Sequence, residues 1–157
     1  MEKDKYYDSS VSILEIANDF YEAYQRCKRG EKYRIDEYGR QVWSVPDVPV
    51  LVNGAFACEL YLKGLLHTDK HGHELNNFFI LLDDNTKADI KNYCDEHCSF
   101  WQYNFEEALK QFSDTFEYWR YIHEKKDFGE LGLNKSLMFL DAFIEILKDI
   151  ANKHIEQ

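Results

Sequence analysis

Apolar residues recur at helical spacing along most of the chain, and the first such segment spans residues 12–30. Its recurring positions are Leu14, Ala17, Phe20, Tyr21 and Tyr24. Steps of three and four residues are typical of an amphipathic helix. We predict that this helix begins at Ser12, which has capping-box spacing with Glu15, and ends at Gly30 after two cations.

The helical pattern stops between residues 31 and 47. Two short apolar stretches here flank Tyr38-Gly39, a pair typical of a turn. The segment therefore predicts either a short β-hairpin or an ordered loop after the first helix.

Four further helical segments and one short helix follow. The second helix, about Pro49 to Leu66, is apolar almost all round and is therefore predicted to be central in the fold. The other predicted segments are a loop over 68–73, a short helix over 74–82, helices over 86–98 and from Asn104, and a last helix from Asn134. We predict a single all-α domain over residues 1–157, an up-and-down bundle of about five helices.

Composition and charge narrow the class of protein. The formal net charge of −10 argues against non-specific nucleic-acid binding and against binding to duplex DNA, because such proteins normally present a basic face. The N-terminus opens no apolar run, and the apolar stretch 48–66 carries Glu59 and Lys63, which are costly in a bilayer. We expect a cytoplasmic protein with no membrane span and four reduced cysteines.

The fourth long helix offers the most informative candidate chemistry. On a helical wheel His123 falls at the centre of the apolar stripe that begins at Phe105, and Arg120 lies roughly 60° away. A histidine can act as a general acid or base near neutral pH, and an arginine can hold a phosphate. The alternative is structural: Arg120 in an ion pair, for which Glu59 is the best candidate partner, and His123 as a packed, hydrogen-bonded side chain.

Three stretches of the sequence resemble the HEPN family. They are the central-helix segment 53–66, the step Gly72-His73-Glu74-Leu75, and the segment 116–124 with Trp119-Arg120-Tyr121. The resemblance covers roughly residues 48–150. It implies a helical bundle that forms a homodimer, with either a metal-independent ribonuclease site or a binding role. It implies as partners RNA, a nucleotide, an antitoxin or a nucleotidyltransferase.

One departure from the family pattern affects the functional prediction. The resemblance implies a catalytic Arg followed four to six residues later by His, whereas here only two residues separate Arg120 from His123. We therefore favour a dimeric binding module for RNA, a nucleotide or a protein. The alternative is a ribonuclease of a toxin–antitoxin or phage-defence system that uses Arg120 and His123.

Other polar residues are candidates for binding or for support of the site. Glu59 and Lys63 have the i,i+4 spacing of a helical ion pair. This pair either is purely structural, with Asn53 separately satisfied, or orients Arg120. The candidate binding or supporting residues are Asn53, Glu59, Lys63, Tyr121 and Glu124.

Metal binding and cofactors are not expected. His67, Asp69, His71 and His73 supply zinc-type donors, but a polar loop explains them more simply, and we place His73 just before the short helix. The Cys94, His97 and Cys98 run lacks the second pair typical of a zinc site. No phosphate-binding glycine loop or dinucleotide motif occurs.

Overall fold

The computed structural model describes residues 9–30, 32–44, 47–98, 103–120 and 133–157. This part of the chain is mostly helical, with one two-stranded hairpin. The elements are, in order, α1 (Ser9–Arg29), β1 (Lys32–Ile35), β2 (Gln41–Ser44), α2 (Asp47–Leu65), α3 (Leu75–Phe79), α4 (Asp84–His97), α5 (Phe105–Arg120) and α6 (Leu133–Ile155).

α2 is the central helix of the fold. It packs against α1, α3, α5 and α6, which explains why its sequence is apolar on nearly every face. Two glycines allow its neighbours to approach closely: a Cβ at Gly54 would fall 2.6 Å from the Leu140 side chain of α6, and one at Gly64 would collide with Leu14 of α1. The central position predicted for this helix is confirmed.

Aromatic rings fill the space between α3, α5 and α6. The ring of Phe105 lies 5.1 Å from that of Phe79, and Phe139 lies 5.1 Å from Phe112 and 5.2 Å from Phe143. These separations and their tilted geometries are favourable for aromatic pairs. The buried stripe predicted on α5 is confirmed at Phe105, Leu109 and Phe112.

Residues 32–44 form the hairpin, one of the two alternatives for this segment. β1 and β2 are antiparallel, with Tyr33 opposite Trp43. The turn is closed by Asp36, whose carboxylate accepts bonds from the backbone N–H groups of Tyr38 and Arg40, each at 2.9 Å. Gly39 adopts a positive φ of 75° there, which a glycine tolerates without strain.

The helix termini were predicted with mixed success. The capping box at the start of α5 is confirmed, since Asn104 Oδ1 accepts from Glu107 N–H at 2.8 Å and Glu107 Oε2 from Asn104 N–H at 3.1 Å. The start at Ser12 is wrong, because Ser12 lies inside α1. α4 also begins earlier than predicted, at Asp84, because the Asp83 carboxylate accepts from Thr86 N–H at 3.0 Å and so caps the helix.

All four cysteines are described and carry free thiols. Cys58, Cys94 and Cys98 are buried, and burial raises the pKa of the Cys98 thiol to about 11 and that of Cys58 well above its usual range. Buried thiols of this kind are chemically inert.

α2 has an apolar window, Val48–Leu65, that by length and composition alone could cross a membrane. In the bundle 56% of this window is buried, as is typical of a core helix. Within the described residues this is one weak signal, and it is not evidence of a membrane span.

Candidate functional site

A buried carboxylate joins two basic side chains at one end of α2. The Glu59 side chain is only 1% exposed; its Oε1 accepts from Lys63 Nζ at 2.7 Å, and its Oε2 lies 2.9 Å from His73 Nδ1. The ion pair between Glu59 and Lys63, which the i,i+4 spacing predicts, is confirmed. Because burying a carboxylate is costly unless it is paired and hydrogen-bonded, these two partners account for the charge in the core.

The path of the chain after α2 brings His73 back to Glu59. α2 ends in a Schellman motif, with His67 N–H bonded to the Gly64 carbonyl at 3.2 Å and Thr68 N–H to the Lys63 carbonyl at 3.1 Å. His67 itself has a φ of 51°, the left-handed conformation that this motif needs. The chain thereby turns sharply and runs back along the end of α2.

A second backbone feature orients His73. Gly72 has a φ of 127°, a value that residues with a Cβ rarely adopt. The glycine therefore allows the bend immediately before His73. Beyond it, α3 starts with the backbone N–H of Leu75 donating to Ser113 Oγ on α5 at 2.9 Å, so α3 and α5 are held together beside the histidine.

A pocket of about 360 Å³ opens at this place, and we call it the His73 pocket. It is lined by Lys70, His71, Gly72, His73, Glu74, Asn77, Phe78, Leu81 and Glu117. The volume lies within the range of roughly 300–1,000 Å³ that is typical of ligand sites. The His73 side chain is 53% exposed, so this residue connects the buried carboxylate to solvent.

The arrangement fixes how the His73 ring can interact. A carboxylate can only accept hydrogen bonds, so Nδ1 of His73 carries the hydrogen and donates to Glu59. In the neutral ring Nε2 is then a hydrogen-bond acceptor, and a carboxylate partner of this kind holds the ring in one orientation. Chemically, the site can accept a hydrogen bond or a proton at a defined position on the pocket wall.

The expected site residues are only partly brought together. Asn53 lies apart from Glu59: its side-chain amide donates to the Pro49 carbonyl at 2.8 Å and contacts Cys27 Sγ at 3.9 Å. Glu59 lies six positions after Asn53, which places the two residues about 120° apart around the helix.

The Arg120 and His123 predictions lie outside the described side chains. α5 ends at Arg120, whose side chain is not described, and Tyr121, His123 and Glu124 lie outside the described residues. The pairing of Arg120 with Glu59 stays a prediction, although both Glu59 oxygens already have described partners.

The contact between His73 and Glu59 was not predicted from the sequence. The Gly72-His73 step and the buried Glu59 were both visible in the sequence, but nothing in a helical wheel relates a loop residue to a helix residue fourteen positions earlier.

Among the described residues no group of three or more metal-binding side chains forms; the loop histidines do not converge.

A second polar cluster connects α1 and α6. The Tyr21 hydroxyl donates to Glu145 at 2.6 Å, the Tyr24 hydroxyl donates to Asp141, and Lys28 pairs with Asp141 at 2.8 Å. Burial, followed by the bond to Glu145, raises the pKa of Tyr21 to about 12, and burial with the Asp141 bond raises the pKa of Tyr24 further. This cluster holds α1 and α6 together.

Comparison with known proteins finds no matching family model, no similar curated protein and no similar solved structure.

Proposed function

We propose that the chain is a HEPN-like binding module that engages a segment of a partner protein at the His73 pocket. The observation that carries the proposal is a pocket next to exposed apolar residues. Leu81, which lines the pocket, is 57% exposed and its neighbour Ile80 is 64% exposed. Adjacent large apolar side chains in water at a concave site are typical of interaction surfaces.

Charge favours a protein over a nucleic acid as the ligand. The net charge is −10, and Glu74 and Glu117 line the pocket. A polyanion is repelled by both, since nucleic-acid affinity depends on cationic contacts with phosphates. In line with the resemblance to HEPN proteins, an antitoxin or a nucleotidyltransferase is the class of partner we propose, and the module itself acts as a homodimer.

A selection experiment tests this function. A random peptide library displayed on phage is selected against the wild-type chain and then against Leu81→Asp, which places a charge at the apolar edge of the pocket. We expect enriched peptides that bind wild type and lose binding to Leu81→Asp. They should retain binding to the matched control Ile16→Asp, a similar change at an exposed apolar residue on α1.

Two results contradict the proposal. One is a set of peptides that bind Leu81→Asp as well as wild type, which would exclude the pocket as the site. The other is single-stranded RNA that binds wild type and not Leu81→Asp while no peptide does, which would make the ligand a nucleic acid.

The second candidate function is the metal-independent ribonuclease. It is supported by one placement: Glu117 lines the pocket, and Arg120 follows three residues later on the same helix, within one turn. A fluorescent single-stranded RNA incubated with the protein and a chelator tests it. Cleavage that disappears in both Arg120→Ala and His123→Ala supports the ribonuclease; the binding module predicts no cleavage by any of the three proteins.

A further inference from the structure

The walls of the His73 pocket carry several hydrogen-bond acceptors. His73 presents Nε2 as an acceptor because Nδ1 donates to Glu59. Glu74 and Glu117 add two carboxylates from the α3 and α5 sides. Glu74 also accepts a bond from the Asn77 amide, which limits how far its carboxylate can turn away.

The charges around the pocket leave a negative balance. Lys63 is already paired with Glu59 at 2.7 Å, so these two cancel. Lys70 also lines the pocket and is exposed, as are Glu74 and Glu117, so solvent screens these three charges alike and the balance is two carboxylates against one ammonium group. Glu74 and Glu117 therefore outweigh the remaining cation among the described lining residues.

We infer that the pocket recognises a basic side chain, arginine before lysine, on the partner segment. This inference rests on the proposed function and names the chemistry of its ligand. A guanidinium group presents five N–H donors in a planar array and has no hydrogen-bond acceptor. It therefore matches a pocket wall that carries several acceptors. The exposed Ile80 and Leu81 then contact apolar residues next to the basic one.

The Glu59–His73 hydrogen bond keeps Nε2 of the neutral His73 ring available as an acceptor for this recognition. If Nδ1 lost its carboxylate partner, the neutral ring could place its hydrogen on Nε2 instead and present a donor to the cation. Glu59 is thus a positioning residue, which acts on the ligand only through His73.

Matched short peptides test the inference on the full chain. The probe is an acetylated hexapeptide with one arginine between leucines, and the comparison peptides carry citrulline, lysine or glutamate in its place. Citrulline keeps the shape of arginine and removes the charge. We expect the arginine peptide to bind at least about tenfold more tightly than the citrulline peptide, and the glutamate peptide not to bind.

Single substitutions test whether the preference for arginine arises at the His73 pocket. Glu117→Gln removes one carboxylate at an exposed position and should reduce the preference for arginine over citrulline several-fold. Glu96→Gln, an equally exposed change on α4, should leave it unchanged. The His73 ring signals in NMR spectra should shift with the arginine peptide, which a purely structural histidine would not show.

The outcomes separate this inference from the proposed function. Equal affinity for arginine and citrulline, no binding of the arginine peptide, or no effect of Glu117→Gln overturns the inference. If phage-selected peptides without basic residues still bind in a Leu81-dependent way, the proposed function survives the failure of the inference. If no peptide binds at the pocket at all, both fail.

Discussion

Nδ1 of His73 lies 2.9 Å from Oε2 of Glu59, although the two residues are fourteen positions apart and one of them is buried in the central helix. The bond attaches a half-exposed loop residue to the core. The orientation of His73 in the pocket wall thus depends on a carboxylate that is itself only 1% exposed. A change at Glu59 is therefore expected to affect both the stability of the fold and the proposed recognition at the pocket, and the two effects can be measured separately.

Glu59→Gln should lower the free energy of unfolding by about 3 kcal/mol, because it leaves the Lys63 ammonium next to the core without its counter-charge. His73 is half exposed and adds little to the loss. Urea unfolding measures the change. The double variant with Lys63→Met should recover part of the loss; if the two single effects simply add, Glu59 and Lys63 are not coupled.

His67→Gly should raise the free energy of unfolding by roughly 0.5–1 kcal/mol. His67 has a positive φ of 51°, which costs a residue with a Cβ about 1–2 kcal/mol, partly offset by the greater freedom of glycine in the unfolded chain. Thermal unfolding measures the change. His71→Gly, in the same loop but not at a positive φ, serves as control and should not stabilise; a loss of stability in His67→Gly would contradict the assignment.

Gly64→Ala should destabilise the protein by about 1–3 kcal/mol, because the added methyl group collides with the Leu14 side chain where α1 crosses α2. Gly30→Ala is the matched control: its Cβ would meet backbone oxygens only at an ordinary 3.4 Å, so we expect little change. Chemical denaturation of both variants gives the comparison, and equal losses would show that α1 and α2 are not packed this tightly.

Stability should fall at alkaline pH through the α1–α6 cluster. The pKa of Tyr21 is raised to about 12, above the ordinary value of about 10. The folded state therefore holds a proton that the unfolded state loses first. The contribution of Tyr21 is complete below about pH 10 and is lost as the pH rises through 12. Urea unfolding across this range should show a smaller decline for Tyr21→Phe; an identical pH dependence of the variant and wild type would exclude the effect.

The protein should be a homodimer in solution. The sequence is rich in aromatic residues, 16% of the chain, and such residues are typical of interface cores. Light scattering at micromolar concentration should report twice the chain mass of 18.8 kDa. A mass of one chain at every concentration of a dilution series would refute the prediction.

Local sequence patterns predicted most of the secondary structure. Two such patterns are found in the structure: the capping box at Asn104 and Glu107, and the apolar residues on nearly every face of α2. Both depend only on neighbours within one or two helical turns. The start of α1 was misplaced because a capping pattern at Ser12 also fits a serine inside a helix. A four-residue signal cannot distinguish these two positions.

The pairing of Glu59 with Lys63 was determined by sequence alone, because residues four apart on a helix are neighbours whatever surrounds them. The bond from Glu59 to His73 and the pocket beside Glu117 were decided only by the tertiary structure. They require the turn at His67, the bend at Gly72 and the packing of α3 on α5 to act together. Contacts between distant segments depend on how several turns and packing contacts combine. No single stretch of sequence is therefore sufficient to predict them.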